Sequence, residues 1–345
     1  MGRKTKKKMI YPLVSLAIIS LIALSIITST YGPNQILKAM RSYPPFFLVV
    51  AFFIYTLRWF VESLAFRIST GKYKQLTFSQ CLKTVIVTQF TNMITPFMSG
   101  GQPATLFVLN RFGLDIASSF SAMFIKSMMY QFFLSLSGFV CLLITFNTLE
   151  SIAKNAAITG IVINLGIVMG ILTIGISESA AKKLISFIIG ILRKVRVIKN
   201  NRETQQNIYE NIKKFNNSFK EFRQEKKRLL FLFMMTGCQF TLFNLCAFVL
   251  LNGFGAFSTV NVFARLVLIN SSALIVPTPG NSGGAEGLFA IFLNAILPDG
   301  IMGAGILIWR LIVFYLPVII LGVGTFFISI RLLNEKGINI QEESQ

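Results

Sequence analysis

Long apolar runs separated by short basic segments set the pattern of this 345-residue chain. Runs of about 20 residues or more can cross a hydrocarbon core near 30 Å. They fall at about Met9–Thr28, Phe46–Phe66, Ile116–Phe146, Ala156–Ile176, Leu229–Leu251 and Ile301–Ile330. Two further apolar stretches behave differently. Gln80–Ile94, some 15 residues long, reaches roughly 22 Å, and a polar break and a second short piece, Ala104–Leu109, follow it. Val262–Leu297 is interrupted by Pro277 and Pro279. The pattern predicts an all-α integral membrane protein with about six transmembrane helices and two re-entrant helical hairpins, at about 80–110 and 262–297.

The basic residues set the expected topology. Arg3-Lys4-Thr5-Lys6-Lys7-Lys8 precede the first run. That run is longer than the roughly 7–15 residues of a signal-peptide core and has no small-residue cleavage site after it. It therefore reads as a first helix entering from the cytoplasm. Residues 178–228 hold 14 Lys/Arg against 5 Glu. Of the 33 basic residues, 26 fall on the cytoplasmic side and only Lys38, Arg41 and Lys154 outside, which is the positive-inside signature. A multi-pass protein of the bacterial plasma membrane with both termini cytoplasmic is expected. Within 178–228, Leu184, Ile185, Ile188, Ile191, Leu192 and Val195 form an apolar stripe flanked by Lys182, Lys183, Arg193, Lys194 and Arg196, suited to anionic headgroups. Ile208, Ile212, Phe215, Phe219 and Phe222 recur at helical spacing and suggest a second amphipathic helix packed on its neighbour.

Composition narrows the chemistry. The chain is 54% hydrophobic and 13% charged, with a mean hydropathy of +0.67, against roughly 25% charged residues in soluble domains. A formal charge of +20 would suggest nucleic acid in a soluble protein; here it is spent on topology, and no nucleic-acid partner is expected. The absence of His excludes a His-ligated metal, a haem on an axial His, and Ser–His or Cys–His catalysis. Cys81, Cys141, Cys238 and Cys246 lie in apolar runs without C-x-x-C spacing and read as buried small hydrophobes. There is no Walker A sequence. No cofactor, metal or catalytic residue is expected.

One repeat stands out. Thr95-Pro96-Phe97-Met98-Ser99-Gly100-Gly101 returns 183 positions later as Thr278-Pro279-Gly280-Asn281-Ser282-Gly283-Gly284, so both breaks read T-P-x-x-S-G-G. Broken backbone at membrane depth persists only where protein buries it or a wet cavity receives it. Matched breaks in two halves mark a transporter site at a repeat interface. Three full spans separate the motifs, an odd number, so the repeat is expected to be inverted. Lys126 lies 30 residues after Pro96 and Arg310 lies 31 after Pro279.

A cation in a span costs roughly 2.5–3.5 kcal/mol on insertion scales and is a functional candidate by default. Arg58 and Glu62, four apart, share a helix face and can pair. Lys126 and Arg310 have no acidic neighbour one turn away, so their partners must come from another helix, water or a substrate. Glu286 has three open roles: a structural counter-charge to Arg310 or Lys126, an exchangeable partner for an anionic substrate, or a proton carrier. Gly100-Gly101 and Gly283-Gly284 offer backbone N–H groups at helix starts, which suit phosphate, and Ser99, Ser282, Thr95 and Thr278 add hydroxyls. The candidate substrate-binding set is thus Arg310, Lys126, Arg58, Glu286, Ser99, Gly100, Gly101, Gln102, Ser282, Gly283 and Gly284, with Pro96, Pro277 and Pro279 as structural hinges.

Across about residues 10–332 the chain resembles the transmembrane region of lysylphosphatidylglycerol synthases, a flippase-like family of bacterial and archaeal membrane proteins. The carrying residues are Thr95-Pro96…Gly100-Gly101-Gln102-Pro103, Pro277-Thr278-Pro279-Gly280…Gly284-Ala285-Glu286-Gly287 and Trp309-Arg310…Tyr315-Leu316-Pro317…Gly322. In two-domain synthases a soluble C-terminal domain attaches lysine to phosphatidylglycerol and the membrane part is credited with flipping the product. The resemblance implies a stand-alone flippase unit, since only about 15 residues follow the last span. Two departures matter: Gln102 stands where many relatives are acidic, and Thr105 and Leu106 stand near where they carry an Arg.

The expected division is a basic cytoplasmic segment (1–9), a membrane domain (10–332) with the cytoplasmic insertion 178–228, and a cytoplasmic tail (333–345). The expected function is translocation of an anionic, phosphate-bearing lipid between leaflets. The partners are membrane lipids, an anionic phospholipid or a polyprenyl phosphate, and a homo-oligomer is left open. The alternatives are a membrane subunit of a phosphatidylglycerol lysyltransferase-type lipid-modifying system, a carrier of small soluble anions, and a scaffold acting through 178–228.

Overall fold

The computed structural model describes residues 3–177, 179–180, 182–183, 186, 216–217, 219–222, 224–255 and 259–342. Most of the amphipathic region expected at 178–228, including the whole stripe from Leu184 to Val195, lies outside the described residues. Its far end is inside them: Phe219 and Phe222 are buried in a cluster with Ala65, Ile125 and Leu232. That part of the second stripe packs within the chain.

Among the described residues every named element is a helix, apart from short turns. The helices are α1 (Arg3–Tyr31), α2 (Pro33–Arg41), α3 (Pro45–Thr70), α4 (Phe78–Ile94), α5 (Gly101–Arg111), α6 (Ile116–Thr145), α7 (Ser151–Ile176), α8 (Lys226–Asn252), α9 (Val260–Ser272), α10 (Gly284–Leu293), α11 (Asp299–Arg310) and α12 (Leu316–Glu342). Among the described residues six segments are long and apolar enough to span a membrane: Val14–Tyr31, Pro45–Thr70, Ile116–Thr145, Ser151–Thr173, Lys226–Asn252 and Asp299–Leu332. They coincide with the six apolar runs. The short helix α2 was not legible as an element. Pro33 begins it, as suits a first helical position, and its one buried side chain, Ile36, packs against Gly303 of α11.

Apolar side chains cover the outside as densely as the inside. Leu21, Phe53, Leu143, Val162 and Phe326 are each more than 60% exposed, which a lipid solvent accepts and water does not. Of the cysteines, Cys81, Cys141 and Cys246 are buried, whereas Cys238 is exposed. The expectation of four buried thiols therefore fails at Cys238, which sits on an outward stripe of α8.

Helices α3 and α8 run antiparallel along their length. Tyr43, just ahead of α3, donates to the Leu250 carbonyl near the end of α8 (2.8 Å). At the other end, Arg228 donates to the Ile68 carbonyl (3.2 Å). The short helix α9 lies in the interior, with Leu266, Val267, Leu268, Ile269, Ser271 and Ser272 all buried, packed on α6, α7, α8 and α10. Arg265 is buried there too, and each guanidinium nitrogen donates to a neutral acceptor: Asn261 Oδ1 (2.9 Å), the Phe292 carbonyl (2.7 Å) and the Thr148 carbonyl (2.7 Å).

Two helix–break–helix units, α4–α5 and α9–α10, hold the repeated motifs at their breaks. Thr77 starts α4 with a capping box, its hydroxyl accepting from the Gln80 amide while the Gln80 side chain accepts from the Thr77 amide. Helix α5 ends at Gly113, which takes φ 83 so that the Leu114 amide can reach back to the Leu109 carbonyl (3.1 Å). Asp115 then caps α6, accepting from the Ser118 amide.

Candidate functional site

The two breaks fold alike. In the first, Phe97 and Met98 take left-handed φ angles of 53° and 54°; in the second, Gly280 and Asn281 take 58° and 54°. Each tip carries the same pair of turn bonds. Met98 and Ser99 amides donate to Thr95 and Pro96 carbonyls (3.2 and 3.1 Å), and Asn281 and Ser282 amides to Thr278 and Pro279 carbonyls (3.0 and 3.1 Å). Both threonine side chains close their own loop: Thr95 Oγ1 accepts from the Gly100 amide (2.8 Å), and Thr278 Oγ1 donates to the Ser282 carbonyl (2.7 Å). The tips meet in an isolated antiparallel bridge between Pro96 and Pro279. Pro277 lies on the approach to the second tip, after a short 3₁₀ turn at Ala273–Ile275.

The glycine amides differ from expectation. Gly100 donates to Thr95 Oγ1 (2.8 Å) and Gly101 to Asn92 Oδ1 (3.0 Å), so neither is open to an anion. The amides of Gly283 and Gly284 donate to no protein acceptor among the described residues, but neither residue lines the cavity beside the tips. Ser99 is exposed and its hydroxyl returns to the Pro96 carbonyl (2.9 Å). Ser282 is wholly buried.

A cavity of about 290 Å³ opens beside the tip contact. Met98 of the first tip and Gly280 and Asn281 of the second line it, and α3, α4, α5, α6, α8, α9, α10 and α11 supply most of the remaining walls. Its charged lining residues, among the described ones, are Arg58, Glu62, Lys126 and Arg310. Lys126 of α6 finds its partner in Glu62 of α3, Nζ to Oε1 at 2.8 Å, and its ammonium lies over the Phe66 ring (4.3 Å). The other Glu62 oxygen accepts from Gln89 Nε2 (2.7 Å). Arg310 finds Glu286, Nε to Oε1 at 2.8 Å, and its Nη2 donates to Ser282 Oγ (2.9 Å) and the Gly280 carbonyl (3.3 Å). The Phe314 ring lies 4.2 Å beneath that guanidinium. It is brought there by the single π turn Leu311–Tyr315, a helix defect common at functional sites. Glu286 Oε2 keeps no partner.

Arg58 is the exception. The bond to Glu62 that their spacing allows does not form, because Glu62 is taken by Lys126 and Gln89. Instead the Arg58 guanidinium lies 4.8 Å from the Tyr55 ring centre and 5.3 Å from that of Phe243. The residue is 6% exposed, and its Nε and Nη2 have no hydrogen-bond partner. The Tyr55 hydroxyl is held at the Val313 carbonyl (2.9 Å), which fixes the ring under the cation.

Gln102 lines the cavity and its amide reaches Ser127 Oγ at 3.5 Å. Thr105 is buried and bonded to Thr88 Oγ1 (2.6 Å) and the Gly101 carbonyl (2.9 Å). Sequence reasoning missed the neutral polar lining: Gln131, Gln239 and Asn270 face the same cavity, each with a buried unpartnered amide atom. The signal was available, since amides inside apolar spans are costly without partners.

The sequence profile described as the lysylphosphatidylglycerol synthase TM region matches residues 13–321. A UPF0104 membrane protein of Methanothermobacter thermautotrophicus is 21% identical over 315 residues, covering 87% of this chain and 91% of that protein. Another from Archaeoglobus fulgidus is 23% identical over 299 residues, covering 85% and 89%. The chain belongs to the lysylphosphatidylglycerol synthase transmembrane-region family.

Proposed function

We propose that this chain, as a member of that family, moves a lipid with an anionic headgroup between the leaflets of the plasma membrane. The observation that carries the reading is the cavity where the two Gly-rich tips meet, with Arg58, Lys126 and Arg310 in its wall. Three cations in the wall of one small chamber inside an apolar protein suit a negative headgroup, while the acyl chains stay in lipid. In this reading α4–α5 and α9–α10 are re-entrant hairpins entering from opposite faces as an inverted repeat. The termini and the 178–228 insertion face the cytoplasm, and Glu286 holds Arg310 until a headgroup arrives.

The test is leaflet exchange of a labelled anionic phospholipid in proteoliposomes, beside a zwitterionic lipid and protein-free vesicles. Exchange above both controls, lost in the Arg310→Gln, Glu286→Gln double variant, is the expected result. Exchange no faster than in protein-free vesicles, for a panel that includes a polyprenyl phosphate, overturns the reading. Undiminished exchange in the double variant removes the Arg310–Glu286 pair from the site.

A further inference from the structure

We infer that the cavity is built for a single negative charge, held by Arg58, so that a phosphodiester headgroup is preferred over a phosphomonoester. The inference rests on the lipid-translocation reading and sharpens its substrate class. Lys126 is neutralised by Glu62 and Arg310 by Glu286, both at 2.8 Å. Among the described residues three cations against two carboxylates leave one positive charge, and Arg58 is the cation without a carboxylate partner.

The donors left without a partner on Arg58 are buried and specific. Nε–H and Nη2–H, both unpartnered, form one edge of the planar fork and point side by side. That edge matches two oxygens on one centre, as in a phosphodiester or a carboxylate. The rings of Tyr55 and Phe243 fix the orientation of the guanidinium. A buried guanidinium elsewhere in the chain, Arg265, shows the alternative: it is satisfied by protein carbonyls and an amide and asks for no ligand. Gln131, Gln239 and Asn270 keep amide atoms unpaired around the same space. They suit neutral polar headgroup atoms and supply no second positive charge.

Charge balance then sorts the ligands. A phosphodiester carries one negative charge and leaves the site neutral. A phosphomonoester carries about −1.5 to −2 at pH 7, so its second charge would stand uncompensated in a low-dielectric chamber. A zwitterionic headgroup brings a cation for which no free carboxylate pair is available.

The experiment is equilibrium binding to the purified full-length protein in detergent at pH 8. The probes are dihexanoyl phosphatidylglycerol, dihexanoyl phosphatidic acid, dihexanoyl phosphatidylcholine and the chain-free glycerophosphoglycerol. The phosphodiester lipid is expected to bind about ten- to a hundredfold more tightly than the other two lipids, the size of a charge-assisted hydrogen bond gained or lost. Arg58→Gln should remove that margin and Arg58→Lys keep part of it. Glu62→Gln adds one positive charge and should move the preference toward phosphatidic acid. Equal or tighter binding of phosphatidic acid by the wild type, or an unchanged margin in Arg58→Gln, overturns the inference even if leaflet exchange is robust. Glycerophosphoglycerol binding as tightly as the lipid leaves the charge assignment standing and removes the lipid reading. Should Arg58→Gln fail to fold, the wild-type order and the Glu62→Gln shift decide the matter.

Discussion

The two tips share a motif, a backbone conformation and a bridge, yet their surroundings differ. Pro96, Phe97, Met98 and Ser99 are all exposed, while Pro279, Gly280, Asn281 and Ser282 are all buried. The second tip is gripped by Arg310 through the Gly280 carbonyl and the Ser282 hydroxyl. The first has no such clasp, because Lys126 pairs with Glu62 on α3 instead. The near-equal spacing of Lys126 and Arg310 from their motifs is therefore not matched by equal contacts. One motif builds a fixed tip and one a freer tip, and the difference comes from the side chains at the two variable positions and from where the nearest carboxylate sits.

Breaking the clasp should have the largest effect. Glu286→Gln leaves Arg310 buried without its counter-charge, a situation that costs about 3–5 kcal/mol. Thermal unfolding in detergent should show a large drop for Glu286→Gln and a partial recovery when Arg310→Gln is added. A drop no larger than that of an exposed control such as Ser99→Ala would mean that the pair does not hold the tip.

Inverse substitutions at the matched turn positions should then have unequal effects. Gly280→Ala puts a Cβ on a residue at φ 58 and into the Phe314 ring. Left-handed backbone alone costs about 1–2 kcal/mol there, and the displaced ring adds to it. Phe97→Gly relieves the same backbone at φ 53 without opening a core, and should be neutral or stabilising within about 1 kcal/mol. Destabilisation of similar size at both positions would erase the contrast between the tips.

Accessibility offers a gentler probe. In a cysteine-free background, Met98→Cys should react with a water-soluble maleimide much faster than Asn281→Cys. Met98 is 40% exposed and Asn281 only 4%. Equal rates would mean that the second tip opens as readily as the first.

The smallest expected effect lies at the exits from the two units. Asp115 caps α6 after the first, whereas Pro298 precedes α11 after the second with no side-chain cap. Burial raises the Asp115 carboxyl somewhat, but hydrogen bonds from Ser118 and nearby amides outweigh it and hold it below the usual range. A depressed carboxylate stabilises the fold above its unfolded value, near 3.9, and that contribution fades as pH falls through the lower folded value. Asp115→Ala should cost about 1 kcal/mol near neutral pH, and less in acid, measured as a shift in unfolding midpoint.

Much of this molecule was legible in its residues. The six spans follow from apolar length, because a bilayer-sized helix needs about 20 apolar residues whatever it packs against. The positions of both breaks follow from Thr-Pro and Gly-Gly, which stop helices locally. Arg58, Lys126, Glu286 and Arg310 stood out because charge inside a span is rare. Helix α2 did not stand out, since nine residues with one buried side chain are too few to mark a span.

What the sequence by itself determined is therefore local: helix lengths, breaks, and which charges enter the membrane-spanning region. Only the tertiary structure decided how those charges pair. Arg58 and Glu62 sit one turn apart on α3, but Lys126 arrives from α6 and Gln89 from α4 to claim the carboxylate. Arg58 is thereby left facing the cavity between two aromatic rings, with its donors unspent. Pairing between distant helices depends on which side chains the fold brings within about 3 Å, and no spacing along one strand of sequence specifies that distance.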